Sequence, residues 1–117
     1  MPVTFDWRSP PLTSNQRMHW AQRAKLTAKV REAAFVAFRS YPPAERVDVT
    51  LTWVVKTKHR RDADNVVPTL KALCDGLVDA GVVPDDVPEF MVKHMPVIRY
   101  DPTATPCMIL HVREVTP

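Results

Sequence analysis

The residues most able to do chemistry lie between Lys56 and Asp86, in the run KTKHRRDADNVVPTLKALCDGLVDAGVVPDD. A basic burst opens it, with Lys56, Lys58, His59, Arg60 and Arg61. Asp62 and Asp64 follow, a helix-like segment then carries Lys71 and Asp75, and a second acidic pair, Asp85 and Asp86, closes the run. In extended backbone, side chains at i and i+2 share a face, so Asp62 and Asp64 are expected to project together. Two carboxylates held that close repel each other unless a cation offsets them. Mg²⁺ does this with one or two carboxylates and keeps its remaining octahedral positions for water and phosphate oxygens. Hydrated aspartates on a surface loop are the plainer account of the same pair. The cations directly upstream favour a metal, because acid, metal and basic side chains together suit a polyanionic substrate.

Other chemistries that use paired aspartates fit less well. An EF-hand counted from Asp62 needs an oxygen ligand and then a glycine where this chain has Val66 and Val67. Asp62 to Val66 also matches the D-x-D-x-V string of aspartate-nucleophile phosphatases. That fold wants an apolar strand just before the first aspartate, and His59, Arg60 and Arg61 stand there instead. With Gly76 and Gly81 as the only glycines, phosphate-cradling loops and dinucleotide fingerprints are excluded. Cys74 and Cys107 lack C-x-x-C spacing and sit in apolar surroundings, so both read as small core hydrophobes and not as zinc ligands. Metal-assisted hydrolysis of a phosphodiester is what remains.

The elements that must position these groups follow from periodicity. Val3, Phe5 and Trp7 alternate as a short strand, and Pro10 and Pro11 make the next segment a loop. Ser14 or Asn15 is expected to cap a helix running from Gln16 to about Ser40, with Trp20, Ala24, Ala28 or Leu26, Val30, Ala34 or Phe35, and Phe38 on its buried face. Arg17, Arg23, Lys25, Lys29, Arg31 and Arg39 line the other side, as a DNA-backbone stripe or a solvated face. Val47, Val49, Leu51, Trp53 and Val55 then alternate as a half-buried strand that delivers the chain into the basic-acidic run. Pro68 suits the first turn of a second helix that buries Leu70, Leu73, Cys74, Leu77 and Ala80, and Gly81 suits its left-handed cap. On that helix Lys71 and Asp75 stand at i and i+4, the spacing of a surface ion pair. Two strands, about Glu89 to Arg99 and about Met108 to Val115, are expected to form a hairpin around the Asp101–Pro106 loop.

The expected fold is thus α/β (α+β), one domain over residues 1–117 in the order β-α-β-α-β-β, with a small mixed sheet packed on two helices. At 117 residues the chain can bury roughly two-thirds of its unfolded surface in one core. No apolar run approaches the ~20 residues of a membrane helix, and the start lacks a signal-peptide layout, so a soluble cytoplasmic protein is expected. The net charge of +3 conceals an asymmetry: 12 basic and 4 acidic residues through Arg61, then 4 basic and 9 acidic. Such a division points towards nucleic acid, although a solvated basic helix also produces it.

An ordered set of motifs adds to this. Pro10, Pro11, Ser14, Asn15 and Arg17 form P-P-S-N-x-R. Asp62, Asp64 and Asn65 form D-x-D-N, and Lys71, Asp75 and Leu77, followed by Ala80 and Gly81, form a helix motif. Asp85 and Asp86 come next, and Lys93, Met95 and Pro96 form K-x-M-P. From about Pro10 to Pro96 the chain resembles the RusA family of Holliday junction resolvases, with about three more residues between Asn65 and Lys71 than the family pattern has. The resemblance implies a crossover junction endodeoxyribonuclease in which Asp62, Asp64 and Asp86 hold Mg²⁺. It also implies that Lys71 stabilises charge on the phosphate, and that Asn15, Arg17, Lys56, Lys58, Arg60, Arg61 and Lys93 meet DNA. Asn65, Asp75 and Asp85 would support the metal ligands, or, for Asp75, stand as a surface acid. The implied substrate is a four-way DNA junction, the implied assembly a homodimer, and the implied setting bacterial or phage recombination and repair. Alternatives are a broader nuclease for forks and flaps, and a junction-binding protein without catalysis.

Overall fold

The structure, a computed structural model that describes residues 1–116, runs β1 (Pro2–Phe5), α1 (Trp20–Phe38), β2 (Val47–Val55), a 3-10 turn (Ala63–Val66), α2 (Val67–Asp79), β3 (Met91–Lys93), β4 (Val97–Tyr100) and β5 (Cys107–Glu114). It is an α+β fold in which two helices pack on a mixed five-stranded sheet. β2 is central. Its inward residues Val47, Val49 and Leu51 join Val30, Ala34 and Phe38 of α1, Leu70, Leu73, Cys74 and Leu77 of α2, and Met108, Leu110 and Val112 of β5 in one core. The alternation that marks β2 in the sequence is what a sheet with one covered face requires. On the opposite face Asp48 accepts from Arg113 at 2.8 Å and lies 3.6 Å from the His94 imidazole.

The C-terminal strands do not form the expected hairpin. β5 runs antiparallel between β1 and β2, while β3 and β4 both lie parallel to β2 on its other side. The single strand expected over Glu89 to Arg99 is broken, and the register gives the reason. Val49 pairs with Lys93 and Thr52 with Val97, so His94, Met95 and Pro96 span what two residues span on β2. Proline has no N–H for a ladder bond and is at home in such a bulge. The His94 N–H still bonds the Val49 carbonyl at 3.0 Å.

α2 keeps its sequence-read punctuation, with Pro68 in its first turn and Gly81 beyond its end at φ 79°. Its buried face is wider than expected, taking in Thr69, Ala72 and Gly76, while Ala80 is only half-buried. Cys74 is fully buried and burial pushes its thiol up to about 12, whereas Cys107 is half-buried in β5.

α1 starts four residues later than the spacing suggests, and its cap is His19, whose Nδ1 accepts the Ala21 N–H at 3.2 Å. Ser14 is instead tied to the turn at Asp64 and Asn65, donating its backbone N–H to the Asn65 carbonyl and its hydroxyl to the Asp64 carbonyl. The fully buried face of α1 begins only at Val30, so Trp20 is 77% exposed and Ala24 faces solvent, against expectation; of Ala28 and Leu26, it is Leu26 that packs against the core. The cationic stripe is also thinner. Arg31 forms a two-pronged pair with Asp79, which raises the guanidinium pKa, and Arg23 donates to the Thr13 carbonyl and Gln16.

Thr69 fastens the N-terminal loop to α2. Its hydroxyl donates to the Leu12 carbonyl at 2.7 Å and accepts the Leu12 N–H at 3.1 Å, with both residues buried. Thr69→Val would leave two buried backbone groups unpaired, a cost of about 2–3 kcal/mol. We expect a lower urea midpoint at unchanged slope, with Thr69→Ser recovering most of the loss.

Candidate metal and nucleic-acid site

Two side-chain clusters gather most of the residues singled out in the sequence. The first joins α2, the loop after it and β3. Lys71 Nζ donates to Asp75 Oδ1 at 2.8 Å and to Asp86 Oδ2 at 2.7 Å, and Lys93 Nζ reaches the same Asp86 oxygen at 3.3 Å. The i,i+4 pair expected on α2 is therefore present, but Lys71 spans both acids. Hydrogen bonds from Lys71 first, and from Lys93, hold the Asp86 carboxyl down at about 2, while Asp75 and Asp86 raise the Lys71 ammonium pKa. The two members of the acidic pair diverge. Asp85 turns its Oδ1 onto the backbone N–H of Asp86 at 2.7 Å, and Asp86 alone faces the lysines. Lys93, expected to meet DNA, is paired here with Asp86.

This cluster has a pH signature. The Asp86 pKa lies below the ~3.9 of an unfolded aspartate, so its contribution is complete above about pH 4 and is lost as pH falls through about 2. Because the Lys71 side chain is 55% exposed, screening reduces the gain to on the order of 1 kcal/mol. Acid unfolding of Asp86→Asn should therefore show a shallower loss of stability between pH 4 and 2 than the parent chain shows.

The second cluster lies where β2 ends. Asp62 has extended backbone (φ −99°, ψ 124°), but the next residues close a 3-10 turn, with the Asn65 N–H bonded to the Asp62 carbonyl at 3.1 Å. The expectation of an extended D-x-D pair is corrected here. Asp62 keeps extended backbone and Asp64 lies on the turn, so the i, i+2 rule of a strand does not govern this pair. Asp62 is 54% exposed and 3.9 Å from Arg60 Nε, and Asp64 is exposed. The N-terminal loop lies against this turn: the Ser14 N–H bonds the Asn65 carbonyl at 3.2 Å and its hydroxyl the Asp64 carbonyl at 3.4 Å. Asn15, Arg60, Arg61, Asp62 and Asn65 line one open cavity of about 280 Å³ together with Trp53.

The basic residues around these clusters divide into held and loose ones. Arg61 donates to the carbonyls of Thr57 and His59 and to the Thr57 hydroxyl, and its guanidinium lies 5.2 Å from the centre of the Trp53 ring. It therefore shapes the loop before Asp62. Lys58 lies over the Tyr100 ring at 4.9 Å, whereas Lys56, Arg17 and Arg60 are exposed. Trp53 and Tyr100 were not legible as site residues. Trp53 carried the signal of a strand residue, and only its indole bond to the Arg8 carbonyl at 3.0 Å and its contact with Arg61 bring it to the cavity wall.

Among the described residues no three Asp, Glu, His or Cys side chains meet in a group that could hold a metal, so Asp62, Asp64 and Asp86 do not form a preassembled cage. The donor chemistry nevertheless suits Mg²⁺ in its usual mode, which takes one or two carboxylates and completes its shell with water and substrate phosphate. The exposed Asp62 and Asp64 carboxylates fit that mode. Asp86 is already neutralised by two lysines.

No family model matches this chain. An uncharacterized protein of Xylella fastidiosa (strain Temecula1 / ATCC 700964) is 32% identical, over 67% of this chain and 56% of the relative. The chain thus spans little more than half the length of that relative. Among the described residues no helix is long and apolar enough to cross a membrane.

Proposed function

We propose that the protein is a Mg²⁺-dependent endodeoxyribonuclease for branched DNA, resolving four-way junctions by paired phosphodiester hydrolysis. One observation carries this reading. The P-P-S-N segment, fifty residues away in sequence, is hydrogen-bonded through Ser14 to the D-x-D-N turn. Motifs with no helical or strand periodicity in common are thereby brought to one surface, beside an exposed basic loop. The first cluster adds a cation, Lys71, held between Asp75 and Asp86.

In this scheme Asp62 and Asp64 hold the metal, which when bound lowers the pKa of a coordinated water and offsets phosphate charge. Lys71 supplies positive charge to phosphate oxygens, and the two carboxylates that raise its pKa reinforce its protonated form. Lys56, Lys58, Arg60 and Arg17 neutralise backbone phosphates. A two-fold junction calls for a two-fold enzyme, so we place the chain in a C2 homodimer acting in the cytoplasm of a bacterial or phage-infected cell.

The test is a synthetic four-way junction incubated with Mg²⁺ or with EDTA. Symmetric nicks that vanish with EDTA are expected. Equal cutting of flaps and linear duplex would replace junction resolution by a broader nuclease. A mobility shift without nicks in any divalent metal would replace it by a binding protein.

A further inference from the structure

The cavity beside Asp62 combines side-chain amides with an aromatic–guanidinium wall. Arg61 gives three hydrogen bonds to the Thr57–His59 turn, and Arg60 lies 3.9 Å from the Asp62 carboxylate. The walls carry two side-chain amides from distant parts of the sequence, Asn15 and Asn65. Asn65 uses its backbone carbonyl to hold Ser14 and leaves its amide to the cavity. Asn15 accepts from the Thr13 hydroxyl through Oδ1 at 3.1 Å, which leaves its NH₂ as a donor. Paired amide donors and acceptors complement the edge of a base. The third wall is the Arg61–Trp53 stack, whose guanidinium is fixed by its three hydrogen bonds; such planes receive unstacked bases. At about 280 Å³ the cavity is near the lower end of ~300 Å³ for small-molecule sites, room for one base and not a stacked pair.

We infer that this cavity receives one unstacked base next to the scissile phosphate, and that Asn15 and Asn65 read its edge and so set the sequence preference of cleavage. The inference rests on the nuclease reading above and adds a specificity pocket to it. A base at the branch point of a junction is the least costly to unstack, since its neighbours are already strained or unpaired.

The test uses junctions with 2-aminopurine placed at successive positions around the branch point, bound in Ca²⁺ so that cutting is suppressed. A fluorescence rise at one position, diminished in Asn15→Ala and in Asn65→Ala, is expected. With Mg²⁺ the parent chain should cut junctions differing at that position with rates at least about tenfold apart, a preference that flattens in both variants. Asn15 is exposed and its truncation leaves the fold intact, which thermal melting checks. Junction binding with no responsive position, or cleavage whose base preference survives both substitutions, overturns the pocket and leaves the nuclease standing. Failure to bind junctions at all overturns the nuclease reading, and the pocket with it.

Discussion

Asp64→Asn is expected to abolish junction cleavage, by at least about 10³-fold or ~4 kcal/mol of barrier, while binding is kept or tightened. The substitution is clean because Asp64 engages the fold through its backbone carbonyl, which accepts from Ser14, while its side chain is exposed. Asparagine keeps that carbonyl and the side-chain shape, and removes a negative charge that repels DNA. Gel mobility shifts and single-turnover cleavage on the same junction separate the two effects. Retained nicking would remove Asp64 from the chemistry, and a lowered melting temperature would assign it to the fold. Asp86 offers no such clean comparison, since its loss also removes the acid paired with Lys93 and one of the two paired with Lys71.

The largest stability effect is expected at Gly76. A Cβ added there would lie 2.6 Å from Ala34 Cβ and closer still to the Arg31 carbonyl oxygen, both parts of α1 with no freedom to swing aside. Alanine normally gains about 1 kcal/mol over glycine inside a helix. Here α1 and α2 must move apart instead, opening the core around Val30, Ala34, Leu73 and Leu77. Overpacking of this kind costs about 1–3 kcal/mol or more, so a net loss of about 2–3 kcal/mol is expected. Against a total of ~5–15 kcal/mol that is a large share, visible as a fall of roughly 10–15 °C in melting temperature. An unchanged or raised melting temperature would show that the helices can separate freely.

Much of the scaffold is legible in the sequence where one residue's neighbours decide its state. β2 reads directly from its alternation because one of its faces is packed and the other is polar. α2 reads from Pro68 and Gly81, whose backbone restrictions act locally. The start of α1 does not, because Ser14 is drawn away by hydrogen bonds to Asp64 and Asn65 that no local window contains. The exposure of Trp20 has the same origin: an apolar spacing says that a face could be buried, and only the placement of α2 says how much of it is.

Residue types and order alone determined an α+β chain with a basic first half, an acidic second half, and aspartates flanking one helix. Pairing partners were decided by the tertiary structure: β3 and β4 parallel to β2, and β5 between β1 and β2. Period-two alternation is the same for either strand direction, so direction is set by which edge of β2 each segment can reach. The site obeys the same division. The carboxylates and lysines are visible as letters, but their partners are not. That Lys71 bridges Asp75 and Asp86, and that Asn15 meets Asn65 across a cavity, follows from long-range contacts whose energy belongs to the folded chain and to no segment of it.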